Sequence, residues 1–436
     1  MNAMFFGPLV LLFSLSSRPA ASQTQAADSL SLDAVIRRVL ETHPAIQQAA
    51  QGVRASQARV LGSRSAYYPE IEADGSYLRL EPVASIDIAG LGAFDLFPAN
   101  NYDAHLSLRH TVFDFGKRST AVDYAQSLEL TADHTVELVQ AGLAFDAIDT
   151  FYAIIFLERS LDVQDDQIAA LERHLDVTRE RVRTGSATDF EVLTTQVRVA
   201  TAQSRRIDLA NALERQTVRL RGLMGLPADQ PLNLAGTFPA APAAPGADSL
   251  VAVALAQRPE LKLARDGEAS AAIQGRLASL GDRPSLAVGA MAGFKNGYVP
   301  NLNTLKGNWD AGVQVRVPIF NGFRARSQVA ETRATAEAAQ DHTQDVERRV
   351  TTEVRQAVAD VQAGVQKLAA SDLQVRQAEA AVTMAGVRYE AGVITNLDVL
   401  DAQTSLQEAR LMRLRAQYDV VRARYELDRA VGARPW

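Results

Sequence analysis

Two different periods of apolar residues divide this chain. In Asn308–Val317 every odd-numbered residue (Trp309, Ala311, Val313, Val315, Val317) is apolar and every even-numbered one is polar or Gly. Tyr102–Arg109 alternates in the same way. A period of two belongs to a strand with one greasy and one wet face. Ile71–Tyr77 and Leu286–Ala290 follow it more weakly, so strands are predicted at about 70–86, 102–115, 285–297 and 308–320. Elsewhere the period lengthens. Val354, Val358, Val361, Val365 and Leu368 follow steps of four and three, and Val375, Val382 and Tyr389 continue at sevens, the seam of a coiled coil. Ala357, Ala363, Ala369, Ala378 and Ala385 leave a second flank on which another helix can approach closely.

These helical stretches are unusually long. Lys117–Arg183 gives 67 residues without a proline and Phe323–Glu390 gives 68. At ~1.5 Å rise per residue each would reach about 100 Å. Long helices are predicted at 117–183, 188–224, 323–390 and 395–431. The expected class is mostly α with a small β part.

The elements also recur. The helix ending in His43-Pro44 returns as the one ending in Arg258-Pro259, an offset of 215 that also carries Pro69 to Pro284. Arg181 to Gly185 returns as Arg388 to Gly392 at an offset of 207, as Gly225 does in Gly432. The chain therefore reads as two structural repeats, 28–226 and 248–436, joined by a Pro/Ala-rich linker over 227–247.

Composition narrows the setting. The 436 residues are 47% hydrophobic and 22% charged, which is an ordered rather than a disordered chain. The net charge of -6 is mild and the bases are scattered, so nucleic acid is not an expected partner. With no cysteine, the chain has no disulfide, no thiolate metal site and no lipidated lipoprotein cysteine. The apolar run Phe5–Phe13, followed by small residues, reads as a signal peptide over 1–22 with cleavage near 22 to 27. It is too short to cross a bilayer, and no later run is a transmembrane helix.

Strands about ten residues long with one apolar face are the mark of a membrane β-barrel, although a soluble sheet lying on a core has the same alternation. Counting separates the two readings. Four strands cannot close a membrane barrel, since known ones start at about eight. Several chains must then share one barrel: two would supply eight strands and three would supply twelve.

Taken in order, the residues resemble the TolC-type outer-membrane efflux proteins over essentially the whole mature chain. The resemblance is carried by His43-Pro44 and Arg258-Pro259, by Phe113-Asp114-Phe115-Gly116 and Ile319-Phe320-Asn321-Gly322 where strand passes into helix, and by the turns 181–193 and 388–400. It implies a homotrimer with a twelve-stranded barrel in outer-membrane lipid and a long α-helical barrel in the periplasm. The linker would help girdle the helices at their equator. A periplasmic adaptor (membrane fusion) protein and an inner-membrane transporter are the implied partners, with no cofactor and no metal. The turns marked by Arg181, Gly185, Arg388 and Gly392 would form the adaptor-docking tip. Tyr389 matches the family's gate tyrosine, Asp398 and Asp401 its ring-forming aspartates, and Glu191 the corresponding acid of the first half. Ile394 stands where the best-known member has an arginine that pairs across the closed tip.

The acids also have a purely local reading. Thr188 to Glu191 and Thr395 to Asp398 both fit a capping box at a helix start, and a first-turn acid is favoured by the helix dipole. Asp401 falls outside the box but shares a face with Asp398, so three copies would stack two carboxylate rings.

Catalytic chemistry finds no candidate. The six histidines include no pair at helical metal-ligand spacing, and His105 and His110 fall on opposite faces of one strand. Asp114-Phe115-Gly116 copies a kinase tripeptide without a phosphate-binding or catalytic loop. The expectation is a passive exit duct and not an enzyme. An exit duct for type I protein secretion is the near alternative, and a periplasmic coiled-coil scaffold or adaptor is the alternative of another class.

Overall fold

The computed structural model describes residues 29–90, 92–240, 246–434 and 436. The signal-peptide reading over 1–22 and residues 241–245 of the linker lie outside the described residues. In chain order the elements are α1 (Leu32–Thr42), α2 (Pro44–Ser65), β1 (Glu70–Arg79), β2 (Ser85–Ile88), β3 (Gly92–Asp95), β4 (Asn100–Phe113), α3 (Lys117–Arg183) and α4 (Asp189–Leu223). There follow α5 (Ala247–Gln257), α6 (Pro259–Ser279), β5 (Ser285–Lys295), β6 (Lys306–Arg316), α7 (Arg324–Glu390) and α8 (Asn396–Val431).

Local chemistry sets the breaks. A residue before proline is pushed out of the helical region, and His43 and Arg258 are both extended ahead of Pro44 and Pro259 at the first positions of α2 and α6. At four helix ends a left-handed Gly (Gly185, Gly225, Gly392, Gly432) closes the last turn in a Schellman motif. For example, Gly185 N–H donates to the Val182 carbonyl and Ser186 N–H to that of Arg181, as Gly392 does to Tyr389 and Val393 to Arg388.

β1, β4, β5 and β6 form one antiparallel sheet in that order. Ile71, Ala73 and Gly75 pair with Leu108, Leu106 and Ala104, and the same rows continue through Ala290, Ala292 and Phe294 to Ala311, Trp309 and Gly307. One face is thus apolar from edge to edge. The other carries Asp74, Asp103, His105, Arg109, Lys295 and Asp310. Among the described residues no core covers the apolar face of β6: Trp309 is 78% exposed, and Val313 and Val315 about two-thirds.

Three of the four strands are shorter than the alternation suggested, and β4 is shifted by two residues. The segment expected as one strand over 70–86 ends at Arg79, because Pro82 has no N–H for a ladder. Beyond Pro82 the chain forms the separate hairpin β2–β3, which the pattern did not foresee. The strand expected over 308–320 begins at Lys306 and stops at Arg316, two residues before Pro318, while that expected over 102–115 runs from Asn100 to Phe113. β5 stops at Lys295 rather than 297, where the side chain of buried Asn296 takes over the ladder partners: its Oδ1 accepts from Tyr102 N–H at 2.8 Å and its Nδ2 donates to Asn100 O at 2.7 Å.

The helices form a wall. Toward the sheet, α3 lies between α2 and α6, and α6 lies against α7; toward the far end, α3 lies between α4 and α8, and α8 lies against α7. Close approach is built in. A Cβ at Gly364 of α7 would lie 3.2 Å from Val420 Cγ2 of α8. The predicted seam is inward, with Val354, Val358, Val361, Val375 and Tyr389 buried, whereas Ala363 and Ala369 remain exposed.

Midway along, α1 and the linker lie across α3. Val35, Ile36 and Val39 of α1 pack with Phe145, Ile148, Phe151 and Ile155 of α3, Leu220 of α4 and Leu234 of the linker. Leu30 N–H donates to Asn233 O at 2.9 Å, and Ala235 N–H to Leu30 O at 3.0 Å. A Cβ at Gly236 would strike Phe151, which explains why the linker passes there on a glycine. α3 is, among the described residues, the one helix long and apolar enough to cross a membrane by composition. Its apolar stretch is this core.

Candidate functional site

The sequence-predicted site residues gather at the end of the wall farthest from the sheet, where the turns α3–α4 and α7–α8 lie side by side. Tyr389 sits in the last turn of α7 and is 5% exposed. The Arg181 guanidinium stacks over its ring, 4.3 Å from the centroid, and donates to the Tyr389 carbonyl at 2.9 Å. Arg181 comes from the first hairpin and Tyr389 from the second. One planar cation therefore ties the two turns together by stacking and by a hydrogen bond.

Glu191 belongs to both readings given to it. Its Oε1 accepts from the Thr188 N–H at 3.3 Å, closing a capping box at the start of α4, and its Oε2 lies 3.4 Å from the Tyr389 hydroxyl, which donates. Asp398 caps α8 in the same way, with Oδ2 accepting from the Thr395 N–H at 2.8 Å and hydroxyl at 2.7 Å. These two bonds hold the Asp398 carboxyl below the usual carboxylate range, the hydroxyl contributing most. Asp401, one turn on, is exposed and 3.3 Å from Arg198 Nη2 on α4. An exposed pair of this kind is worth ~0–1 kcal/mol.

Gly185 and Gly392 are the left-handed caps described above, and Arg388, the counterpart of Arg181, is exposed. Ile394 packs beside Tyr389, Ala385 and Val399 in a small apolar cluster. The cation of this corner is thus Arg181.

Two further residues were not foreseen. His174 and Asn396 are both buried, and His174 Nε2 lies 2.6 Å from Asn396 Oδ1. Asn396 Nδ2 donates to Thr195 Oγ1 at 3.3 Å and Glu191 O at 3.4 Å, so these side chains bond α3, α4 and α8 together behind Tyr389. The available signal was a histidine in the otherwise apolar stripe Leu171, His174, Leu175. Asn396 gave none.

Comparison with known proteins decides the family. The family model described as outer membrane efflux protein matches residues 35–226 and 250–433. The chain belongs to the outer membrane efflux protein family. The pyoverdine export outer membrane protein OpmQ of Pseudomonas putida is 27% identical over 441 residues, covering 95% of this chain and 90% of OpmQ. Outer membrane protein TolC of Vibrio cholerae is 23% identical over 408 residues, covering 92% and 90%. Among solved structures, the outer membrane protein VceC of Vibrio cholerae superposes with a TM-score of 0.79 at 18% identity, covering 92% of this chain and 96% of VceC. The fold and the family agree with an outer-membrane efflux channel, and the tip just described is the end of that channel remote from its strands.

Proposed function

We propose that three copies of this chain form the exit duct of a tripartite efflux system, passively conducting substrates from an inner-membrane transporter and a periplasmic adaptor to the exterior. The sheet carries this reading. Among the described residues it has an uncovered apolar face and two edge strands, β1 and β6, each with a free edge ten or eleven residues long. Such edges are aggregation templates unless another chain pairs with them. Three sheets joined β1 to β6 would give a closed twelve-stranded barrel with lipid outside and the charged face within.

The wall supports the same assembly. Its outer helices, α4 and α7, carry exposed apolar residues at helical spacing: Phe190, Leu193 and Val197 on one, Met384 and Val387 on the other. In a closed ring α4 of one copy would meet α7 of the next. The helices would stand in the periplasm, with the turns of Arg181, Gly185, Arg388 and Gly392 as the adaptor-docking tip. There Tyr389 and Glu191 would hold the gate, and Asp398 and Asp401 would line it as stacked acidic rings. Energy would come from the transporter.

The test is extraction and conductance. The protein should fractionate with outer membranes, leave them only in detergent and form ion-conducting pores in planar bilayers. Release by salt or osmotic shock would instead favour a periplasmic scaffold. Within a conducting channel, Asp401→Asn should lower cation preference; if conductance and selectivity stay unchanged, the acidic ring at Asp401 is wrong.

A further inference from the structure

The polar face of the sheet carries a titratable cluster remote from the tip. Asp103 and His105 stand two residues apart on β4 and so project to the same side. The Asp103 carboxylate pairs with His105 Nδ1, and Lys295 Nζ of β5 lies 3.4 Å from its other oxygen. On the far side of the ring, His105 Nε2 lies 3.1 Å from Asn308 Oδ1 on β6, two strands away.

An imidazole spans a strand only where nothing stands upon it. The residue between is Gly293, paired in register with both His105 and Asn308. A Cβ at Gly293 would lie 2.7 Å from His105 Cα and 2.7 Å from its Cδ2, and closer still to the Ala104 carbonyl. The ring therefore lies over β5 with only 8% of the side chain exposed. Asp74 of β1 faces His105 across the ladder, Asp310 follows Asn308 on the same face, and Lys306 pairs with Lys295.

This cluster can be satisfied in two charge states. With an oxygen at each nitrogen, the imidazolium donates in both directions. The neutral ring leaves one nitrogen an acceptor, which Asn308 serves by turning its amide so that Nδ2 donates. Uptake of a proton strands no polar group. It does change the local charge: Glu72, Asp74, Asp103 and Asp310 stand against Lys295 and Lys306, a two-charge excess of acid that an imidazolium halves.

We propose that His105 is a specificity-determining residue of the strand-lined end of the duct, making its preference for cations dependent on protonation. The inference rests on the exit-duct reading, in which this face lines the lumen. Cation preference should fall as the exterior is acidified, because each chain then adds a positive charge to the wall. Histidine is the side chain whose charge changes under mildly acidic conditions.

The test is a planar-bilayer measurement of the K⁺/Cl⁻ permeability ratio at low salt, acidifying only the chamber facing the strand end from about pH 8 to about pH 5.5. The wild-type ratio should fall about twofold or more, and His105→Gln should hold it flat. A His105→Gln channel that follows the wild type overturns the proposal. Should that variant fail to assemble, His105→Asn, which keeps a donor and an acceptor but takes up no proton, should likewise hold the ratio flat, and a His105→Asn channel that follows the wild type overturns the proposal equally. A protein that forms no pore at all would sink the exit-duct reading instead.

Discussion

Arg181 and Arg388 occupy equivalent places in the two turns, yet only one of them is engaged. Each is the residue whose carbonyl accepts the long bond of a Schellman motif, so the backbone treats them alike. Their side chains do not behave alike, because Tyr389 lies where the Arg181 guanidinium can stack on it and reach its carbonyl. The first half holds no equivalent ring for Arg388: the residue 207 positions before Tyr389 is Val182. Losing a charged hydrogen bond and a cation–π contact removes about 1–3 kcal/mol of attachment between the turns. Arg181→Ala is therefore expected to loosen the tip, seen as a larger single-channel conductance, while Arg388→Ala leaves conductance near wild type. Equal effects of the two substitutions would show that the asymmetry at Tyr389 does not hold the tip.

Among the elements, the helices were the legible part, and their ends most of all. The 67 residues of α3 are delimited by Gly116 and Gly185, and the 67 of α7 by Phe323 and Gly392, each of them at positive φ. Phe323 is why α7 begins at Arg324 rather than at 323: a bulky residue in the left-handed region is not foreseeable from propensity. Strand ends were less legible, since Pro82 and the side chain of Asn296 interrupt ladders that alternation alone would continue. At the tip, both capping boxes could be read from four-residue spacings because the interaction is local. The contacts of His174 with Asn396, 222 residues apart, and of Arg181 with Tyr389 depend on how hairpins pack, which no spacing encodes. The cap at α8 has its own pH signature. Thr395 bonds to ionised Asp398 and depresses its pKa, so the cap contributes fully above the ordinary carboxylate range and is lost as the pH falls through and below that range. Hydrogen exchange of the first turn of α8, corrected for intrinsic rates, should rise between about pH 6 and about pH 3 in the wild type. Thr395→Val should raise it already at about pH 6.

At the scale of the whole molecule, the single chain is an incomplete object, and it is incomplete at both ends in the same sense. Among the described residues, the sheet leaves the outer edges of β1 and β6 unpaired, and the wall leaves apolar stripes on α4 and α7 uncovered. A rotation that joins one pair of edges brings the other pair together as well, so a closed ring satisfies strands and helices with one symmetry operation. An open, helical array would leave free edges at its termini. The chain contains no cysteine, which makes a direct test clean. One cysteine placed on β1 at Glu72, Asp74 or Ser76 and a second on β6 at Asp310, Gly312 or Gln314 would lie on the polar face near opposite edges of the sheet. Neighbouring strands lie ~4.7–4.9 Å apart, within the Cα separation a disulfide spans, so in at least one of the nine combinations oxidation should link the edge of one copy to that of the next. Denaturing gels should then show a ladder that stops at three. A ladder continuing beyond three would mean an open assembly, and one stopping at two would mean an eight-stranded barrel.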